Sequence, residues 1–228
     1  MTLVFYEGFM RTGSALLLAA GLMVSTAVSS FDIGLVPLHE FSEQEEKPYG
    51  RNISLHGTPR QIAKMRAWMA QIADVPKGLD TLIKIDESGH KLLVFHSRHA
   101  MISSGKASAP LSSNLTNGRG ESVDIYFNFD IPDNGSHQVF DTRRSPIEYT
   151  AIQNLYHELA HAMHMMKGTW RYASSERQAI EEENIFRFQL SQLNEVQFFE
   201  RVYVSGIPIC PESREQLDDS WQQGIICF

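Results

Sequence analysis

Two histidines four residues apart bracket a glutamate in His157-Glu158-Leu159-Ala160-His161. On a helix, residues four apart stand one above the other on the same face, so both imidazoles can reach one metal ion. This HExxH spacing points to Zn²⁺ held by His157 and His161. Glu158, beside the first ligand, is placed as the general base that takes a proton from an activated water. The reaction class is metal-assisted hydrolysis of an amide. Leu155, Leu159, Ala160 and Met163 flank the motif. The helix is therefore expected to be buried, where histidines without a partner are costly. His164 stands where the longer HExxHxxGxxH pattern has glycine, and Lys167 where it has a third histidine. The third ligand must come from elsewhere.

A glutamate on the next helix, returning antiparallel, is the expected source. Glu176, Glu181, Glu182 and Glu183 compete. At about 100° per residue, Glu183 falls within about 60° of Ala179, Ile180, Phe186 and Leu190. It points into the apolar stripe, where a carboxylate needs a partner. Glu181 points nearly opposite and Glu182 lies on a flank. Glu176 shares the stripe but sits in the first turn, where the helix dipole already favours an acid. A return helix starting near Glu176 comes level with His161 six or seven residues in, by roughly matched rise per residue. Glu183 is thus the first choice and Glu176 the alternative. Arg187, one turn beyond Glu183, is placed either to form a salt bridge with it or to orient it as a ligand.

These residues need elements to hold them. Thr58-Pro59-Arg60-Gln61 has the form of a capped helix start, followed by Ile62, Met65, Met69 and Ile72 at helical spacing. Pro76-Lys77-Gly78 is expected to end that helix. Leu92–Phe95 reads as a short buried strand, residues 102–121 as a long loop, and Val123–Phe129 as the best strand. That strand is either a central one or an exposed edge to which an extended peptide adds. Ser145-Pro146-Ile147-Glu148 reads as a capping box opening the metal helix, which runs to Lys167 with Gly168 as its stop. Ser175-Glu176-Arg177-Gln178 reads as a second capping box, opening a helix to about residue 200. Strands followed by two long helices imply an α+β domain. Tyr149, Tyr156, Tyr172 and Tyr203 are candidates for stabilising an oxyanion.

The chain has 228 residues, 43% of them hydrophobic, with 20 Lys plus Arg against 27 Asp plus Glu. It can bury a core, and its formal charge of −7 speaks against a nucleic-acid binder. Residues 1–30 hold an apolar stretch, Ala15–Val24, after Arg11 and before small residues. This is the shape of a secretory leader and is short for a membrane span. Residues 31–57 read as a linker or lead-in, 58–205 as the metallopeptidase domain and 206–228 as a tail. Cys210 and Cys227 are too few for a disulfide scaffold or a Cys₄ zinc site, and can close a C-terminal loop if the chain is exported. The mature chain is expected to be a monomer without a stable membrane span.

HELAHAMH followed by Gly168, Ser175-Glu176-Arg177-Gln178-Ala179-Ile180, and Glu183-Asn184-Ile185-Phe186-Arg187 together resemble the NleD-like effector proteases of peptidase family M91. The likeness spans roughly residues 50–205 and includes the Ser/Gly/Asn-rich loop before the strand. It implies a zincin-like, gluzincin-type domain in which a small sheet packs on the HExxH helix and an antiparallel glutamate helix. It also implies His157 and His161 as zinc ligands, Glu158 as base, and Tyr203 as the counterpart of a late family tyrosine. The family often has Glu-Glu and a glycine turn before its Glu-Asn-x-x-Arg. This chain has Ser175-Glu176 and no glycine there, so Glu176 and Glu183 both stay open. The function expected is a zinc metalloendopeptidase acting on a protein or peptide. It is either exported through its leader or delivered as a virulence effector to a host cell, where it cuts a host protein. The alternative is a secreted, non-catalytic zinc- or peptide-binding protein.

Overall fold

The computed structural model describes residues 45–98, 105–135 and 137–203. The leader-like segment and Cys210 and Cys227 lie outside the described residues.

Alternation of apolar and polar residues builds the sheet. Strands β1 (Glu45–Pro48), β2 (Ile53–Gly57), β3 (Leu92–His96), β4 (Lys106–Ser108) and β5 (Val123–Phe127) lie side by side in the order β1-β2-β3-β5-β4. β2, β3 and β5 run parallel, and β1 and β4 are antiparallel to their neighbours. Every second residue of the three parallel strands is buried: Ile53 and Leu55, Leu92 and Val94, Val123, Ile125 and Phe127. Two strands thus come from the segment expected as a lead-in, and one from the expected loop. β5 ends two residues earlier than expected and is paired on both sides, so it is not an edge. The edge is β4.

Helix α1 (Pro59–Ala73) starts as the sequence predicts, with Thr58 and Gln61 forming a reciprocal capping box. Its Ile62, Met65, Trp68, Met69 and Ile72 join the inward face of the sheet in one core. The Pro76-Lys77-Gly78 run does not simply stop α1. It opens a second helix, α2 (Pro76–Asp86), because proline suits a first helical turn as well as it ends the previous helix.

The region before the metal helix departs from the capping-box reading at Ser145. Pro146–Tyr149 is a strand, β7, paired antiparallel with β6 (His137–Phe140). Ile147 and Tyr149 face inward at a period of two, against Val139, and this pairing outweighs the helix-start signal of Pro146. The true cap is Thr150, which exchanges bonds with Gln153 to open α3 (Ala151–Met166). Gly168, with φ 65, closes α3 in the left-handed conformation that glycine adopts without strain. Helix α4 (Ser175–Leu193) follows a short 3₁₀ turn, Tyr172–Ser174. It has no side-chain cap, since Gln178 instead accepts from Arg171 N and donates to Thr169 O. α4 ends at Leu193, short of residue 200, with Glu195 turned to φ 53.

α3 is the central helix. It buries Leu155, Tyr156, Leu159, Ala160, Ala162 and Met163 along with His157 and His161. A helix apolar nearly all round is stable only when covered on most sides. The sheet, α1, α2 and α4 all pack on it. His164 faces Glu182 while Gln153 faces Arg187, so α4 runs antiparallel to α3, as expected.

Candidate metal centre

His157 and His161 share one face of α3 and are both nearly buried, at 5% and 7% exposure. Their Nε2 atoms stand 3.2 Å apart, with the rings edge to face. Two imidazole nitrogens cannot stay that close with both lone pairs facing unless a cation or proton lies between them. Glu176, from the first turn of α4, brings Oε2 to 3.3 Å from His157 Nε2 and Oε1 to 3.2 Å from His161 Nε2. A tetrahedral zinc with bonds of about 2.0–2.1 Å has ligands about 3.3 Å apart. The two nitrogens and the carboxylate therefore have the spacing and chemistry of a three-ligand zinc site. Among the described residues they form the one such group of three, with ligand atoms all within 4.8 Å of one another.

Glu183 lies on the other side of the His157 ring. Its carboxylate is fully buried and its Oε2 is 3.0 Å from His157 Nδ1. Helical phase correctly turns it inward, but it meets the nitrogen that faces away from Glu176. The same Oε2 is bonded by Arg201 Nη1 and lies 3.4 Å from the Tyr149 hydroxyl. Arg187 is 3.7 Å from Glu183 and also donates to Gln153 Oε1 and the Glu148 carbonyl. Of the two glutamates the sequence leaves open, Glu176 joins the Nε2 cluster and Glu183 does not.

Electrostatics follow from this arrangement. Burial alone would lower the His157 pKa, but hydrogen bonds accepted by Glu176 and Glu183 outweigh it and push the metal-free value up to about 9. Burial likewise works against an ionised Glu183, yet Arg201 and then His157 hold its pKa below the usual carboxylate range. Glu176 is held far below that range: burial opposes ionisation, and the two histidines overcome it. Both carboxylates that partner the histidines are thus set to remain anionic acceptors.

Glu158 is buried next to the cluster and takes a different partner. Its Oε2 accepts the Ala107 main-chain N–H from edge strand β4 at 2.7 Å. β4 comes this close because Gly105 precedes it, with φ 126. A Cβ there would lie 2.9 Å from Glu158 Cγ and 2.6 Å from the Phe127 ring. The sequence marks neither contact beyond the Gly/Ser-rich composition of the loop.

The four candidate tyrosines separate by position. Tyr156 stacks on Phe186 at 4.1 Å and bonds Thr81, which is packing. Tyr149 is engaged by Arg201. Tyr172 and Tyr203 are exposed, at 70% and 44%. Arg201 was not singled out by the sequence reasoning. No periodicity marks it, and its one signal is an arginine following closely on a helix that carries an inward glutamate.

The sequence matches the peptidase M91 family, described as effector protein, over residues 50–198, and the chain belongs to that family. No curated protein matches it at a significant level. Among solved structures it is similar to the botulinum neurotoxin serotype HA light chain, at 13% identity and TM-score 0.36, over 72% of this chain and 54% of that one. For the type G light chain the figures are 13%, 0.37, 72% and 56%. For the serotype C1 light chain protease they are 15%, 0.35, 47% and 36%. The chain spans little more than half the length of these structures at most. No helix among the described residues is long and apolar enough to cross a membrane.

Proposed function

We propose that the chain is a zinc-dependent metalloendopeptidase of gluzincin-like organisation, with zinc held by His157, His161 and Glu176. The observation that carries this reading is the triangle of two Nε2 atoms and one carboxylate with sides of 3.2–3.3 Å, one residue away from Glu158. When bound there, zinc supplies a Lewis acid and makes water a nucleophile near neutral pH. Glu183 orients His157 through Nδ1, keeping Nε2 free for the metal. Glu158 holds the proton taken from water and passes it to the leaving amine, the task of a general acid–base. β4 supports an extended protein substrate: it is the sheet edge nearest Glu158, and Ala107 turns its N–H away from β5. Membership of the effector family supports a host protein as substrate, reached by delivery into the host cell or after export.

The test is zinc stoichiometry by mass spectrometry on the purified chain, beside His157→Ala. About one zinc per wild-type chain, lost in the variant, is expected of a site with this donor set. A folded wild type that takes no zinc after reconstitution refutes the reading.

A further inference from the structure

The Glu183-Asn184-x-x-Arg187 run does more than line the metal centre. All three of its polar residues grip the segment that follows α4. Asn184 brackets the Arg201 main chain: Nδ2 donates to Arg201 O at 2.8 Å, and Arg201 N donates to Asn184 Oδ1 at 2.8 Å. Arg187 Nη2 donates to the Phe199 carbonyl at 3.5 Å. On the other side, Arg201 forms an antiparallel bridge with Asp141, and Val202 N donates to Phe140 O at 3.0 Å. Residues 199–202 are thereby a strap, seated between α4 and β6.

The strap brings one side chain inside. Arg201 is 5% exposed, and its Nη1 bonds Glu183 Oε2, donates to the Tyr149 hydroxyl at 2.9 Å and lies 3.4 Å from His157 Nδ1. A buried guanidinium needs an anion, and an arginine cannot accept a hydrogen bond. Arg201 therefore fixes where the Glu183 carboxylate stands. The carboxylate so held stands 3.0 Å from His157 Nδ1 and fixes the orientation of the ring. With Nδ1 engaged by Glu183, Nε2 is the ring nitrogen turned toward Glu176 and His161. Glu183 Oε1 has no hydrogen-bond partner, so the carboxylate is held chiefly through the oxygen that Arg201 grips.

We infer that Arg201 is a positioning residue for the metal centre, and that the Glu-Asn-x-x-Arg run is the seat that delivers it. The site is competent for metal only with the strap in place. The inference rests on the zinc reading above and concerns a residue outside the proposed ligand set.

The experiment compares full-length wild type with Arg201→Met, Arg201→Lys and Asn184→Ala. Zinc affinity is measured by chelator competition, the visible absorption of the cobalt(II)-loaded protein reports ligand geometry, and melting of the metal-free protein checks the fold. Arg201→Met and Asn184→Ala are expected to bind zinc about 10–100-fold more weakly, the range for lost outer-sphere partners, with a changed cobalt spectrum. Arg201→Lys, which keeps the charge without the fork, should fall between Arg201→Met and wild type. A folded Arg201→Met or Asn184→Ala with wild-type zinc affinity and cobalt spectrum overturns the inference. Should Arg201→Met fail to fold, Asn184→Ala decides, since it removes only the grip on the strap main chain. No zinc on wild type sinks the zinc reading and this inference together, whereas normal zinc on every folded variant sinks this inference alone.

Discussion

Exchanging the two inward glutamates for glutamine separates their roles by two different energies. Glu183→Gln removes the charge from a carboxylate at 0% exposure and leaves Arg201 and Arg187, at 5% and 6%, without their anion. Breaking a buried pair from one side costs about 3–5 kcal/mol, and the retained amide oxygen places this change near about 3. For a domain of this size each kcal/mol shifts the melting temperature by about 2–4 °C, so metal-free Glu183→Gln should melt about 6–12 °C below wild type. Glu176 is 43% exposed and pairs only with the two histidines, so its substitution costs the metal-free fold about 0–1 kcal/mol. Zinc reverses the order. At a thousand times its dissociation constant a ligand stabilises the fold by about 4 kcal/mol. Glu176→Gln should lose most of that gain. Glu183→Gln, weakened about 10–100-fold in affinity, should forfeit about 1.4–2.7 kcal/mol of it and regain that loss at higher zinc. Thermal melts with and without zinc, beside zinc titrations, read both effects. If Glu183→Gln abolishes the zinc-induced shift while Glu176→Gln retains it, the ligand assignment is reversed and the geometric reasoning fails.

Other expectations follow from the same geometry. Glu158→Gln should keep its zinc yet lose turnover by about 10²–10⁴-fold, as for removal of a general base; binding and turnover both unchanged on a cleavable peptide would remove Glu158 from the chemistry. Gly105→Ala forces a Cβ into Glu158 and Phe127, so turnover should fall on the order of 10²-fold with zinc content intact. Equal kcat in a kinetic comparison would show that β4 does not hold the base. Glu182 lies 3.5 Å from His164 Nε2, an attraction that burial opposes and Lys77 reinforces, and its pKa is lowered to about 2. Its folded value lies below its unfolded one, so its stabilisation is fully present above about pH 4.5 and fades as pH falls toward 2. Acid unfolding of Glu182→Gln should show a shallower slope across that window, and an unchanged slope refutes the assignment.

The sequence makes the chemistry legible where it depends on residues within a turn of each other. HExxH on an apolar helix places His157, Glu158 and His161 by helical spacing, and the structure keeps all three on α3. Thr58 and Gln61 cap α1 as read, because a capping box is closed by four consecutive residues. The same local signal misleads at Ser145, where the partner strand β6 decides the outcome. Pairing of Val139 with Ile147 makes a strand of residues that alone favour a helix start.

Helical phase also determines that Glu183 is inward and in need of a partner, and it is fully buried. Which partner it finds is a tertiary matter. The 3₁₀ turn Tyr172–Ser174 fixes where α4 begins beside α3, and so brings Glu176 to the Nε2 side of the histidines and leaves Glu183 at Nδ1. Glu176 and Glu183, seven residues apart, share one face of α4 and differ by about two turns in depth, so periodicity within α4 cannot choose between them. Arg201 reaches Glu183 across 18 residues because Asn184 and Asp141 seat its main chain. Spacing along the chain thus places two histidines and a glutamate together on α3, since a helix carries its own geometry. Which glutamate joins the histidines, and the arginine behind them, are decided by contacts between elements, whose registration depends on the packing of the described domain.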